Sequence, residues 1–334
     1  MMERRPYLFE LSGEHPSLPK AEVLATIEAE VRTPSPATEG PGYVISRLSA
    51  EEMERVAERL ALTHRVGAYH GSCNLDDLAT FASSLELPEG SISVRVKRYR
   101  GRGEPEQTNL IARKVGEVIS EQRKIDLRTP DFKLRLLLTD EVHFFFEEKE
   151  IDRDQYETRH VRSRPYFSPI SLHPRYARAL VNLTRVRRGQ TLLDPFCGTG
   201  GILLEASLVG AKSLGSDISP EMIDGCAENL RHFNVAFERL EVADIGELDD
   251  VFGTVDAVAT DPPYGRSAST KKEPVIALHE RAMENIAEVL SSAAWAGVVL
   301  PKMVRYPTSL SLEDRHSQKV HRSLTREYCL FKRL

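Results

Sequence analysis

The sharpest periodicity in the first half of the chain is the alternation of Ile92, Val94 and Val96 with Ser93, Arg95 and Lys97, which predicts a half-buried strand with a basic outer face. Apolar positions recur at helical spacing over residues 21–31, 50–62 and 108–124, the last with Leu110, Val115, Val118 and Ile119 roughly on one side. A breaker-rich stretch from Thr33 to Gly42 reads as a turn feeding a strand at Tyr43–Leu48, and further strands are expected near 132–138 and 142–147. This is an α+β pattern. Residues 149–165 are charged and lack periodicity, which places an inter-domain linker there.

Beyond the linker the rhythm becomes strand, helix, strand, helix: residues 191–194, 200–209, 213–217, 220–232, 240–243 and 257–261. Such alternation predicts a parallel sheet with helices on both faces, whose ligands bind beyond the carboxyl ends of the strands. The tail from 319 to 334 is hairpin-like and suits antiparallel edge strands. A length of 334 residues agrees with two compact domains and a small third module.

Composition narrows the function less than the pattern does. Hydrophobic residues at 41% and charged residues at 28% describe an ordinary globular protein. The formal net charge of -5 is not that of a dedicated nucleic-acid binder, so any such role must rest on local charge. Cys73, Cys197, Cys226 and Cys329 are scattered without zinc or disulfide spacing, and His160 and His173 lack ligand-spaced partners, so no metal site is expected. Cys197 reads as a small packing residue rather than a nucleophile. No apolar signal core or run of about eighteen apolar residues appears, which argues against secretion or membrane spanning and for a cytoplasmic protein.

Candidate chemistry begins at Leu192-Leu193-Asp194-Pro195-Phe196-Cys197-Gly198-Thr199-Gly200-Gly201, an apolar strand running into a glycine-rich turn and a helix. Glycines there admit close approach of a ligand, and the helix N-terminus offers N–H groups to an anion. Leu203 stands where a dinucleotide site would want a third glycine, which disfavours NAD. Asp217 closes the next strand and suits ribose hydroxyls; Asp244 ends the following one and could accept from an adenine amino group. An adenosine-bearing ligand without pyrophosphate fits, and S-adenosylmethionine is the expected cofactor.

After the fourth strand comes Asp261-Pro262-Pro263-Tyr264, a turn stiffened by two prolines. An exocyclic base amine is a poor nucleophile, and a carboxylate with an adjacent carbonyl can orient it by accepting its N–H bonds. The expected catalytic residues are Asp261, Pro262 and Tyr264, with the tyrosine stacking on the extruded base. Cofactor contacts are expected from Asp194, Phe196, Gly198, Thr199, Gly200, Asp217, Ile218, Asp244, Ile245 and Asp261. Between Glu157 and Asp194 there is no acid, while Arg159, Arg162, Arg164, Arg175, Arg178, Arg185, Arg187 and Arg188 form a basic field suited to phosphates. Lys302, Arg305, Lys319, Arg322 and Arg326 extend the expected surface. Substrate contacts are expected from Arg95, Lys97, Arg98, Arg164, His173, Arg175 and Arg266.

Arg164-Pro165-Tyr166-Phe167-Ser168-Pro169, Leu172-His173-Pro174-Arg175, DPFCGTGG and TDPPYGRSAST together resemble the archaeal tRNA guanosine-10 N2-methyltransferases. The resemblance covers the whole chain, most strongly from Arg164 to Ser269. It implies a Rossmann-like class I methyltransferase domain at 166–334, a ferredoxin-like segment at 1–50 and a THUMP RNA-binding domain at 51–148. It further implies transfer of one or two methyl groups to N2 of guanosine 10, with THUMP gripping the acceptor end of tRNA. In some relatives a small zinc-containing activator protein binds the methyltransferase domain, which makes such a protein a candidate partner; neither membrane nor DNA is expected. The DPPYGRS form favours this group over enzymes acting on position six, which tend to read NPPYG. The alternatives are another guanosine N2, N6-adenine methylation and, against the intact acids, a vestigial RNA-binding module.

Overall fold

The computed structural model describes residues 3–101, 104–168, 171–264, 273–321 and 324–334, which divide into two compact units. One runs to Asp152 and the other from Arg153 to Leu334, with the short stretches Glu28–Glu30 and Arg59–Ala61 grouped with the second.

In the first unit the elements are β1 (Arg5–Leu11), α1 (Leu18–Glu30), β2 (Thr38–Gly40), β3 (Tyr43–Leu48), α2 (Ala50–Arg59), β4 (Thr63–Cys73), α3 (Leu78–Ser83), β5 (Ile92–Arg98), α4 (Pro105–Ser120), β6 (Phe132–Leu138) and β7 (Val142–Glu150). The strands form one seven-stranded sheet in the order β2-β3-β1-β4-β7-β6-β5, antiparallel except for β5 beside β6. Ile92 and Val94 face a core shared with Ile111, Val115 and Ile119 of α4, as their spacing predicts. The junction expected between residues 50 and 51 lies within this sheet, since β1 bonds both β3 and β4.

The second unit contains α5 (Gln155–Thr158), α6 (Pro174–Leu183), β8 (Thr191–Asp194), α7 (Gly201–Leu208), β9 (Lys212–Asp217), α8 (Pro220–His232), β10 (Arg239–Val242), α9 (Leu248–Phe252), β11 (Val255–Thr260), α10 (Val275–Val289), β12 (Leu290–Leu300), β13 (Leu310–His321) and β14 (Leu324–Arg333). Their sheet order is β10-β9-β8-β11-β12-β14-β13: five parallel strands continued by an antiparallel hairpin. From β8 the chain winds outward through β9 and β10, then returns to β11 on the other side. The β8/β11 boundary is therefore the topological switch point, where two strand ends diverge and leave a crevice.

The boundary between the units, at Asp152/Arg153, falls within the expected linker, but the segment is folded rather than a plain connection. Lys149 and Glu150 complete β7, while residues 153–165 carry α5 and the buried side chains of Tyr156, Arg159 and Arg164. Among the described residues no helix is long and apolar enough to cross a membrane.

Candidate active site

The glycine turn follows from β8 ending at the switch point. Gly198 and Gly200 both sit at positive φ, 47° and 81°, where a side chain is strained. A Cβ on Gly200 would also lie 2.6 Å from the Cys226 sulfur, so packing reinforces the backbone requirement. Asn229 of α8, almost fully buried, staples the turn: its Nδ2 donates to the carbonyls of Thr199 and Tyr166, each at 3.0 Å, and its Oδ1 accepts from the Tyr166 N–H at 2.9 Å.

Two acids brace the turn from below. Asp217 accepts from the N–H of Gly198 at 3.1 Å and of Ser219 at 3.0 Å. A carboxylate has about four lone-pair positions, so acceptor capacity remains for ribose hydroxyls. Asp194 is 1% exposed and accepts from Thr260 Oγ1 at 2.7 Å and the Phe196 N–H at 3.2 Å. Burial pushes its carboxyl up to about 7 against the pull of those two donors.

Across the switch point, β11 ends and Asp261-Pro262-Pro263-Tyr264 begins. Asp261 Oδ1 is enclosed and has no partner among the described residues. Its Oδ2 accepts from the Tyr264 hydroxyl at 3.3 Å. That hydroxyl in turn accepts from Arg326 Nε at 2.7 Å, and Arg326 Nη2 lies 3.9 Å from Asp261 Oδ2. Burial pushes Asp261 up to about 6, with Arg326 and Tyr264 pulling it down. Buried His279 of α10 donates its Nε2 hydrogen to the Pro263 carbonyl at 2.9 Å, fixing the turn from behind. Asp194, Phe196, Gly198, Thr199, Ser171 and Asp261 line a cavity of about 60 Å³ between the two strand ends.

Other residues expected at the cofactor are already engaged within the protein or partly buried. Asp244 accepts from the Gly246 N–H at 3.0 Å and from both terminal nitrogens of Arg281, which also binds Glu273 at 2.7 Å. An adenine amino group must therefore share or displace that arginine. Ile245 is buried, whereas Ile218 and Phe196 are half-buried.

The basic field is partly internal. Arg159 and Arg178 both pair with fully buried Glu205, at 2.8 Å each. Arg164 is 5% exposed rather than RNA-facing. His173 is the N-cap of α6: its Nδ1 accepts from the Arg175 N–H at 3.2 Å, and its Nε2 lies 3.1 Å from Glu157 Oε1. Arg175 is half-buried, and Arg185 stacks 3.6 Å over the Trp295 ring. In the first unit Lys97 pairs with buried Glu10 at 2.7 Å, Arg98 is half-buried, and Arg95 is exposed with its Nη2 donating to the Leu127 carbonyl. Arg266 lies outside the described residues. Arg326, His279, Asn229 and Arg281 escaped the sequence reading of the site because their contacts are long-range; Arg326 meets a tyrosine 62 positions away.

The donor set fits S-adenosylmethionine: left-handed glycines open the turn and Asp217 retains acceptor capacity, while Leu203, where a dinucleotide site carries its third glycine for close helix–strand packing, is buried. Residues 161–328 match the UPF0020 family, an RMKL-like methyltransferase domain. The chain is 33% identical over 329 residues to the tRNA (guanine(10)-N2)-dimethyltransferase of Methanothermobacter thermautotrophicus, covering 95% of this chain and 96% of that one. It is 31% identical over 333 residues to the protein of the same name from Pyrococcus abyssi, covering 96% and 98%. The crystal structure of TrmN from Thermus thermophilus matches with a TM-score of 0.59 over 99% of this chain and 100% of that one, at 22% identity. That of a predicted N6-adenine-specific DNA methylase from Listeria monocytogenes matches at 0.56 over 98% and 96%, at 16% identity. The structural likenesses carry the methyltransferase fold; the sequence likenesses run the length of both chains, and the protein belongs to the family of the tRNA (guanine(10)-N2)-dimethyltransferases.

Proposed function

We propose that this protein transfers one or two methyl groups from S-adenosylmethionine to the exocyclic N2 of guanosine 10 in tRNA. The observation that carries the chemistry is the enclosed Asp261 Oδ1, a strong acceptor without a partner among the described residues. A guanine amino group is a poor nucleophile because its lone pair is delocalised into the ring. Asp261 Oδ1 and the Pro262 carbonyl accept its two N–H bonds, turn the lone pair towards the donor and stabilise the charge growing on nitrogen. When bound, S-adenosylmethionine supplies an electrophilic sulfonium methyl. Asp217 holds the ribose, Tyr264 stacks on the extruded base, and the proton leaves after transfer.

Guanosine 10 as the target is supported by the names of relatives that match along the whole chain. The first unit, read as a ferredoxin-like segment followed by a THUMP domain, grips the acceptor end of tRNA. A small zinc-containing activator protein and a cytoplasmic location complete this reading.

The test is incubation of purified protein with labelled S-adenosylmethionine and two tRNA transcripts, one with guanosine and one with adenosine at position 10, followed by nucleoside analysis. Label in N2-methylguanosine or N2,N2-dimethylguanosine, lost with the adenosine transcript, is expected. Label in N6-methyladenosine, or N2-methylguanosine that persists in the adenosine transcript, overturns the assignment.

A further inference from the structure

Arg164 is a buried cation that its surroundings do not neutralise. Its charged neighbours are Glu205 and Arg159, and Glu205 already holds Arg159 and Arg178. Arg164 Nε donates to the Arg159 carbonyl at 3.2 Å, and Nη1 reaches Ser171 Oγ at 3.4 Å. Nη2 is enclosed and has no partner among the described residues.

The guanidinium lies against Gly201, the first residue of α7: a Cβ there would sit 2.9 Å from Nη1 and 3.2 Å from Nη2. The amides of the first turn of an α-helix have no acceptor within it, and the helix dipole adds positive potential at the same place. An enclosed guanidinium nitrogen and a helix N-terminus therefore converge beside Ser171, Gly201 and Ile202, which line the cavity. Burying a cation and unbonded amides without an anion is costly, and a carboxylate satisfies both in bidentate geometry.

We propose that Arg164 binds the carboxylate of the methionine portion of the cofactor, seated between Nη2 and the N-terminal amides of α7. This assigns to cofactor recognition a residue that the sequence placed among the RNA contacts. It rests on the reading of the crevice as an S-adenosylmethionine site.

The experiment is calorimetric titration of the protein with three ligands: S-adenosylhomocysteine, its decarboxylated analogue, which keeps the adenosine, thioether and amine, and 5′-methylthioadenosine, which lacks the whole amino-acid tail. Wild-type protein that binds none of the three sinks the cofactor reading itself. Otherwise wild type should prefer S-adenosylhomocysteine over the decarboxylated analogue by about 30-fold or more, the worth of a charge-assisted pair of hydrogen bonds. Arg164→Gln should abolish that preference and leave 5′-methylthioadenosine binding within about twofold. Equal weakening of all three ligands in the variant, or an undiminished preference, overturns the assignment. Should Arg164→Gln not fold, the wild-type comparison alone decides: indifference to the carboxylate is incompatible with a guanidinium facing it.

Discussion

Replacing Arg326 by glutamine should move the acidic limb of methyl transfer without destroying the active site. The arginine lies 3.9 Å from Asp261 Oδ2, and both side chains are largely enclosed, 14% and 11% exposed. At an effective dielectric near 20, a unit pair at that distance interacts by about 4 kcal/mol, or ~3 pK units as an upper limit. Screening at the rim reduces this to a shift of about 1–2 units. Asp261 must be ionised to accept the amine N–H bonds, so activity falls as pH drops through its value of about 6. The other ionisable groups facing the pair are Asp194, Tyr264 and Tyr328. None of these supplies a positive charge.

Loss of the arginine leaves burial less opposed, and the carboxyl rises further. The limb of kcat/KM, which reports the free enzyme, should move from near 6 to about 7–8. At pH 7 the rate then drops by about two- to tenfold and recovers by pH 9, and Arg326→Lys restores part of the shift. The assay is labelled methyl transfer to tRNA across pH 5 to 9. A loss of the same size at every pH means that Arg326 only supports the fold near Tyr264, and the electrostatic reasoning fails.

Asp261→Ala should reduce kcat by at least about 100-fold while tRNA affinity by filter binding stays within about twofold, since the residue serves the transition state; retained turnover would refute its role. Gly200→Ala adds a strained φ of 81° to a contact 2.6 Å from Cys226 and should cost about 2–4 kcal/mol in denaturant unfolding, partly recovered in Gly200→Ala with Cys226→Ala; an unchanged midpoint contradicts the packing. Asp194, held up near 7 by burial, keeps its proton in the folded state where the unfolded chain has lost it. Stability of the ligand-free protein should therefore fall by about 1.4 kcal/mol per pH unit from this group between pH 4 and 7, and Asp194→Asn should flatten that slope; parallel wild-type and variant curves would count against it. Glu205→Ala strands two buried arginines and should destabilise by about 3–5 kcal/mol, a loss below 1 kcal/mol being incompatible with the pairs described.

Local chemistry made much of this protein legible in its sequence. The strand–turn–helix rhythm from Thr191 onward needs only apolar runs, glycines and N-caps, so β8, α7, β9, α8 and β11 lie close to their expected positions. Asp194, Asp217 and Asp261 could be named because the first two close their strands and the third directly follows its own. In contrast, β4 did not read as a strand: Thr63–Cys73 carries two glycines and two histidines, and its position in mid-sheet depends on pairing with β1 and β7.

Charge was the least legible property, because the sign of a side chain is local but its partner is not. The run without acids from Arg159 to Arg188 looked like an exposed field, yet Glu205, 46 residues from Arg159, draws two of its arginines inward. Arg326 looked like surface charge until the antiparallel return of β14 brought it to Tyr264. Which carboxylates and glycines stand at the strand ends is written locally in the chain, since strand ends follow from local patterning. Which cations meet those carboxylates emerges from the folded packing alone, because pairing across a sheet or between helices does not follow sequence separation.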